Sequence, residues 1–175
     1  MAIIPIRQLG DPVLRQRAKS VADLDAAMER LAMDMIETMY EAPGVGLAAP
    51  QVGYSLRLIV FDDGSGSGAR TLVNPEVSDL AGEEIIDEGC LSIRGPYAPT
   101  SRATRVRVRG RSVTGEPVAF EAEGLLARIM QHEVDHLEGK LFIDRIDAQA
   151  RREVMRQLRE REVAGEEAGQ RFRRP

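Results

Sequence analysis

Between residues 24 and 39, apolar side chains recur at steps of three and four. Leu24, Met28, Leu31, Met35 and Met39 fall on one face of an amphipathic helix. Asp23 and Asp25 favour its start, and "APG" at 42–44 ends it. The methionines on this face read as core packing. The pattern then changes. "LRLIVFDD" reads as a buried strand, "GSGSG" as a flexible hairpin-type loop, and "TLVNPEV" as the returning strand. A phosphate-binding role for the Gly/Ser run fails, because no Gly-Lys-Ser/Thr follows it. "TRVRVRG" alternates Val106 and Val108 with Arg105, Arg107 and Arg109, which predicts a half-buried strand. Its arginines form a solvated face rather than an RNA platform, since no aromatics are interleaved. "VTGEP" is a turn and "VAFEAEG" the partner strand.

At "LLARIMQHEVDHLEG" the period becomes helical. Leu126, Met130, Val134 and Leu137 form one stripe, with Leu125 and Ile129 beside it. So wide an apolar surface predicts a helix buried on most sides, stopped at Gly139. "AQARREVMRQLREREVAG" predicts a polar helix with few apolar anchors. Strands followed by helices, without regular β-α alternation, give an α+β class. Residues 1–165 are expected to form a single domain, and 166–175 a disordered tail.

Composition narrows the function classes. A chain of 175 residues suits one domain with a real core. The net charge of −4 makes no case for direct reading of nucleic acid. No run is long and apolar enough to span a membrane, and "MAIIPIRQLG" lacks the layout of a signal peptide. A single cysteine rules out an internal disulfide and makes a reducing cytoplasm the simplest compartment.

Chemistry concentrates in "QHEVDH", which holds both histidines of the chain. His132 and His136 are four apart, so a helix carries both imidazoles on one face, able to grip one metal ion. Glu133 is one step round, poor as an equal ligand but able to reach a water on the metal as a general base. HExxH fixes only three positions and arises by chance. Here, however, two histidines and a glutamate on a buried helix would carry a desolvation cost of several kcal/mol without a role. Two histidines leave a catalytic metal one protein ligand short. Downstream candidates are Glu138 and Asp144; upstream stands Cys90 in "DEGCLSI". A thiolate is a strong transition-metal ligand, although a packed core thiol would read the same way. His132, His136 and Cys90 together would leave a fourth position for water, as in a catalytic site.

Three motifs, in order, carry a resemblance to the peptide deformylases: "GVGLAAPQVG" (Gly44–Gly53), "EGCLS" (Glu88–Ser92) and "QHEVDHLEGKLF" (Gln131–Phe142). It runs from about Ile3 to Asp144. The resemblance implies antiparallel sheets packed around a central HExxH helix, flanked by an N-terminal and a C-terminal helix. It implies Fe(II), replaceable by zinc, nickel or cobalt, with Cys90, His132 and His136 as ligands. The implied reaction is hydrolytic removal of the formyl group from the formyl-methionine that begins new polypeptides.

By the same resemblance, Glu133 is the base, and the Gln51 amide and Leu91 N–H stabilise the oxyanion. Gly44, Val45 and Gly46 pair with an extended substrate. Val45, Leu125, Ile129 and the His132 ring line the methionine pocket. Nascent formyl-methionyl peptides and transient contact with the ribosome are the implied partners, for a monomer in the bacterial cytoplasm. "IRGPYAPTSR" departs from the pattern, with Arg94 where many relatives have Pro. Arg128, four before His132, either overhangs the pocket or pairs with an acid. A metallopeptidase and a metal-stabilised binding module are the rival readings. Cleavage of internal peptide bonds marks the first, and Glu133 beside the ligands argues against the second.

Overall fold

The computed structural model describes residues 2–171. A helix, α1 (Ala26–Glu41), follows an N-terminal extended segment, and Asp25 caps it by accepting from the N–H groups of Ala27 and Met28. Seven strands then form two antiparallel sheets. Strands β1 (Gly46–Ala48), β2 (Leu58–Phe61), β3 (Arg70–Ala81), β6 (Arg105–Arg111) and β7 (Pro117–Glu123) lie in that spatial order. Strands β4 (Glu84–Cys90) and β5 (Ile93–Arg102) make a separate two-stranded sheet. Helix α2 (Gly124–Leu137) carries HExxH, and α3 (Ala148–Arg171) follows. The α+β class and the central helix are as expected.

Strand β2 explains how the layers stack. Its four residues are all buried, because successive side chains serve two different cores. Leu58 and Val60 join Met28, Met35 and Met39 of α1. Ile59 and Phe61 join Ala127, Met130 and Leu137 of α2, together with Val106 and Val108 of β6. The large sheet thus has α1 on one face and α2 on the other. The arginines of β6 alternate outward as the pattern required.

Strand β3 is longer than "TLVNPEV" and slips register twice against β6, between Val73 and Glu76 and between Ser78 and Ala81. Asn74 and Asp79 sit at these irregularities with positive φ. Asn74 bonds both the N–H and the carbonyl of Val21 through its side chain. Pro75, which has no N–H, is thereby accommodated.

Strand β5 is an element the hydrophobic pattern did not reveal. Pro96 and Pro99 interrupt it in sequence, but β5 pairs only with β4, and one proline-tolerant edge is free. Helix α2 also differs in detail from expectation. Met130 and Leu137 of the stripe are buried, but so are Gln131, Glu133, Asp135 and His136, while Leu125 is 52% exposed. The helix is central because polar side chains bind it to the small sheet. Helix α3 anchors through Val154 and Leu158, beside Ile93, Ala98 and Phe142. It extends through Arg171, across the boundary expected at residue 165, and 172–175 lie outside the described residues. No described helix is long and apolar enough to cross a membrane.

Candidate metal centre and substrate groove

Cys90 ends β4 just after a register shift, where Glu88 pairs with Ala98 but Cys90 with Ile93. The extra residues of this shift lie on β5, so Cys90 keeps the face of Glu88 two positions before it, toward α2. Its Sγ lies 3.3 Å from His136 Nε2, which lies 3.1 Å from His132 Nε2. Donor atoms around a tetrahedral ion with metal–N near 2.0–2.1 Å and metal–S near 2.3 Å are separated by about 3.3–3.6 Å. The two contacts lie at or slightly below this range, and one donor atom from each of Cys90, His132 and His136 lies within 4.8 Å of the others, a cluster able to close on one ion. Glu138 and Asp144, the alternative third ligands, are elsewhere. Glu138 pairs with Arg57 and Arg17, and Asp144 with Arg15.

The candidate ligands are held by charges that spacing alone did not assign. Glu88 Oε1 is 2.6 Å from His132 Nδ1. That contact places the proton on Nδ1 and leaves Nε2 free to ligate. Arg102 donates to both oxygens of Glu88 and, at 2.5 Å, to Asp135. Arg145 closes the other side of Asp135. Arg128 donates to Glu88, Thr100 O and Glu84 O, so of its two possible roles it takes the ion pair, at the edge of the groove. Burial alone would raise the Glu88 carboxyl, but hydrogen bonds from His132 and Arg102 outweigh it and hold the group well below the usual carboxylate range. Glu88 stood in the quoted "EGCLS" motif. Its spacing of two from Cys90 on a strand was the available signal, since i and i+2 share a face.

Glu133 is 3% exposed, and its Oε2 is buried with no hydrogen-bond partner. Burial pushes its carboxyl up to about 7. An unsatisfied carboxylate oxygen beside three candidate metal donors fits a site that receives a proton-bearing ligand. Gln51 lies in the short 3-10 turn Ala49–Val52 and is also buried. Its Oε1 accepts from Ala48 N at 2.8 Å, which fixes the amide. Its Nε2 is thereby aimed at the cluster, 3.6 Å from Cys90 Sγ and 3.3 Å from Ser92 Oγ. Leu91 follows Cys90 in the turn, with its side chain against Gly44.

These groups open into a groove of about 760 Å³, within the usual range for ligand sites. Val45, Leu125, Ile129 and His132 line it together. Leu125 and Val45 stand exposed at its mouth rather than in the core. The groove also takes in the N-terminal segment at Ile3–Ile6 and the β5 residues Arg94–Tyr97, walls that motif spacing did not assign.

Comparison with known proteins shows the family. Residues 3–152 match the family model for polypeptide deformylase. A peptide deformylase of Acidothermus cellulolyticus is 51% identical over 166 residues, covering 95% of this chain and 91% of that protein. One from Halothermothrix orenii is 50% identical over 146 residues, covering 83% and 95%. The crystal structure of a peptide deformylase from Legionella pneumophila superposes with a TM-score of 0.88 at 42% identity, covering 99% of this chain and all of that one. The chain therefore belongs to the polypeptide deformylase family, metal-dependent hydrolases that remove the N-terminal formyl group from new polypeptides.

Proposed function

We propose that Cys90, His132 and His136 hold one divalent ion, and that Glu133, Gln51 and the Leu91 N–H perform deformylation beside it. The native ion is iron(II), with zinc, nickel or cobalt as replacements; a mixed thiolate and imidazole donor set suits these ions. When bound, the ion supplies Lewis acidity to the formyl oxygen and to the attacking water.

Glu133 takes a proton from the water as its oxygen bonds to the formyl carbon. It returns that proton to the nitrogen as the C–N bond breaks, giving formate and a free amine. Gln51 Nε2 and the Leu91 N–H donate to the oxyanion as charge develops on the formyl oxygen. The backbone of Gly44–Gly46 pairs with the extended peptide. Support comes from β1, an outer strand of the large sheet, whose second edge is available for strand addition. The methionine side chain enters between Val45, Leu125, Ile129 and the His132 ring. The protein acts as a monomer in the bacterial cytoplasm, in transient contact with the ribosome that presents its substrate.

The unpartnered, buried Glu133 oxygen beside the Cys-His-His donors carries this reading. The test is metal analysis of anaerobically purified protein, joined to a formate-release assay on formyl-methionyl peptides. About one ion per chain and stoichiometric formate are expected. Cleavage of internal peptide bonds in its place would point to a peptidase.

A further inference from the structure

We infer that Arg161, on the C-terminal helix, is a positioning residue for the substrate groove. Val154, Leu158 and Arg161 are spaced four and three apart and share one face of α3. Val154 and Leu158 pack in the cluster that holds Ile93, Ala98 and Cys90, directly behind the start of β5. Arg161 continues that face to the groove wall. Its Nη1 donates to the Arg94 carbonyl at 3.2 Å.

The guanidinium also lies flat against Gly95. A Cβ built on Gly95 would come within 1.8 Å of Arg161 Nη1 and 2.2 Å of Cζ. Gly95 has φ +107°, a conformation open to glycine and strained for other residues. Both features of residue 95, its missing side chain and its backbone twist, accommodate the arginine. Arg94, Gly95, Pro96 and Tyr97 line the same groove as Gly44–Gly46, Cys90 and His132. Residues 94–97 fall in the register shift between β4 and β5, where no ladder pair holds them, and Pro96 has no N–H, so this wall has few backbone bonds to fix it. One cationic donor from outside the sheet therefore sets where the wall stands.

The inference rests on the deformylase reading of the groove. A wall at 94–97 meets residues beyond the first methionine, so its placement should affect longer substrates more than short ones. Arg161 touches no reacting atom. Its loss acts on binding and leaves the proton transfers at Glu133 untouched.

The experiment compares the wild type, Arg161→Ala and Arg161→Lys on formyl-Met-Ala and on a formyl-Met pentapeptide, reading KM and kcat separately. For Arg161→Ala, KM for the pentapeptide should rise about threefold or more, the range of one lost charged hydrogen bond at a solvent-exposed site. Its kcat, and KM for the dipeptide, should stay within twofold. Arg161→Lys should recover part of the loss, because an ammonium can reach the carbonyl but cannot lie flat on Gly95. Pentapeptide KM within twofold of wild type in Arg161→Ala would overturn the inference. So would an equal loss of kcat on both substrates, which would mark a general structural role. Absence of formate release by the wild type would defeat the proposed function itself, and this inference with it.

Discussion

The Glu133 carboxylate occupies the space that a side chain at position 46 would need. A Cβ built on Gly46 would lie 2.3 Å from Glu133 Oε1 and 2.9 Å from its Cδ. The outer strand of the large sheet and Glu133, the proposed general base, are thus fitted to each other through the absence of one methyl group.

Gly46→Ala should accordingly push the Glu133 carboxylate out of line without disturbing the ligands on either side. The expected loss in kcat is at least tenfold, approaching the ~10²–10⁴-fold of a missing base. Metal content should stay near one ion per chain. Comparing steady-state turnover with metal analysis of the same preparation checks this, and full activity in the alanine variant would show that the carboxylate can move at no cost.

Glu88 supports His132, a proposed metal ligand, and Arg102 supports Glu88. Glu88→Gln should weaken metal binding by about 10–100-fold, as is typical when the partner of a ligating histidine is lost. Arg102→Ala leaves Glu88 and Asp135 buried without their shared cation. Each keeps a second guanidinium, Arg128 on Glu88 and Arg145 on Asp135, so the destabilisation is expected to fall below the ~3–5 kcal/mol of a buried charge left wholly unpaired. Competition with a chelator measures the first effect and denaturant titration the second. Unchanged affinity in Glu88→Gln would separate Glu88 from the metal site.

How much of this was legible in sequence depends on which force shaped each element. Helices α1 and α2 and strands β2, β6 and β7 were visible because their apolar positions repeat at 3.6 or 2. The clustering of His132, His136 and Cys90, with Glu133 in the same groove, could be anticipated because the proposed roles depend on residue type and spacing. The Glu88–Arg102–Asp135 network was not, since isolated charges in a sequence look like solvated surface until the chain folds them together. Strand β5 was hidden by Gly95, Pro96 and Pro99, which are turn signals everywhere except on a free sheet edge. Leu125 counted toward a buried helix surface, yet it is exposed at the mouth of the groove. An apolar side chain lining a binding site cannot be told from one in a core by periodicity.

Asp144 sets a pH dependence away from the metal. Burial alone would raise its carboxyl, but hydrogen bonds from Arg15 and from Leu141 N outweigh it, so its folded-state pKa is lowered. A depressed carboxyl contributes stability that is present in full above its unfolded value of about 3.9, and that is lost as the pH falls through the folded value. Asp144→Asn should therefore melt below the wild type at pH 6, and the gap should narrow once the pH drops below about 4. A gap that is constant from pH 6 to pH 3 would mean that the charge of Asp144 contributes nothing.

Gln51→Ala should leave the base and the ligands in place and remove one donor to the oxyanion. Its kcat should fall by about 10²–10³-fold with KM scarcely changed. A raised KM with kcat intact would instead make Gln51 a ground-state binding residue.

Glu133→Gln keeps the size of the base and removes its proton transfer. Formate release from a formyl-methionyl peptide and bound metal, measured on one anaerobic preparation of this variant and of the wild type, test the proposed mechanism. Glu133→Gln should hold about one ion per chain and turn over at least ~10²-fold more slowly than wild type. Turnover within tenfold of wild type at full metal occupancy would contradict the role of Glu133 as the base.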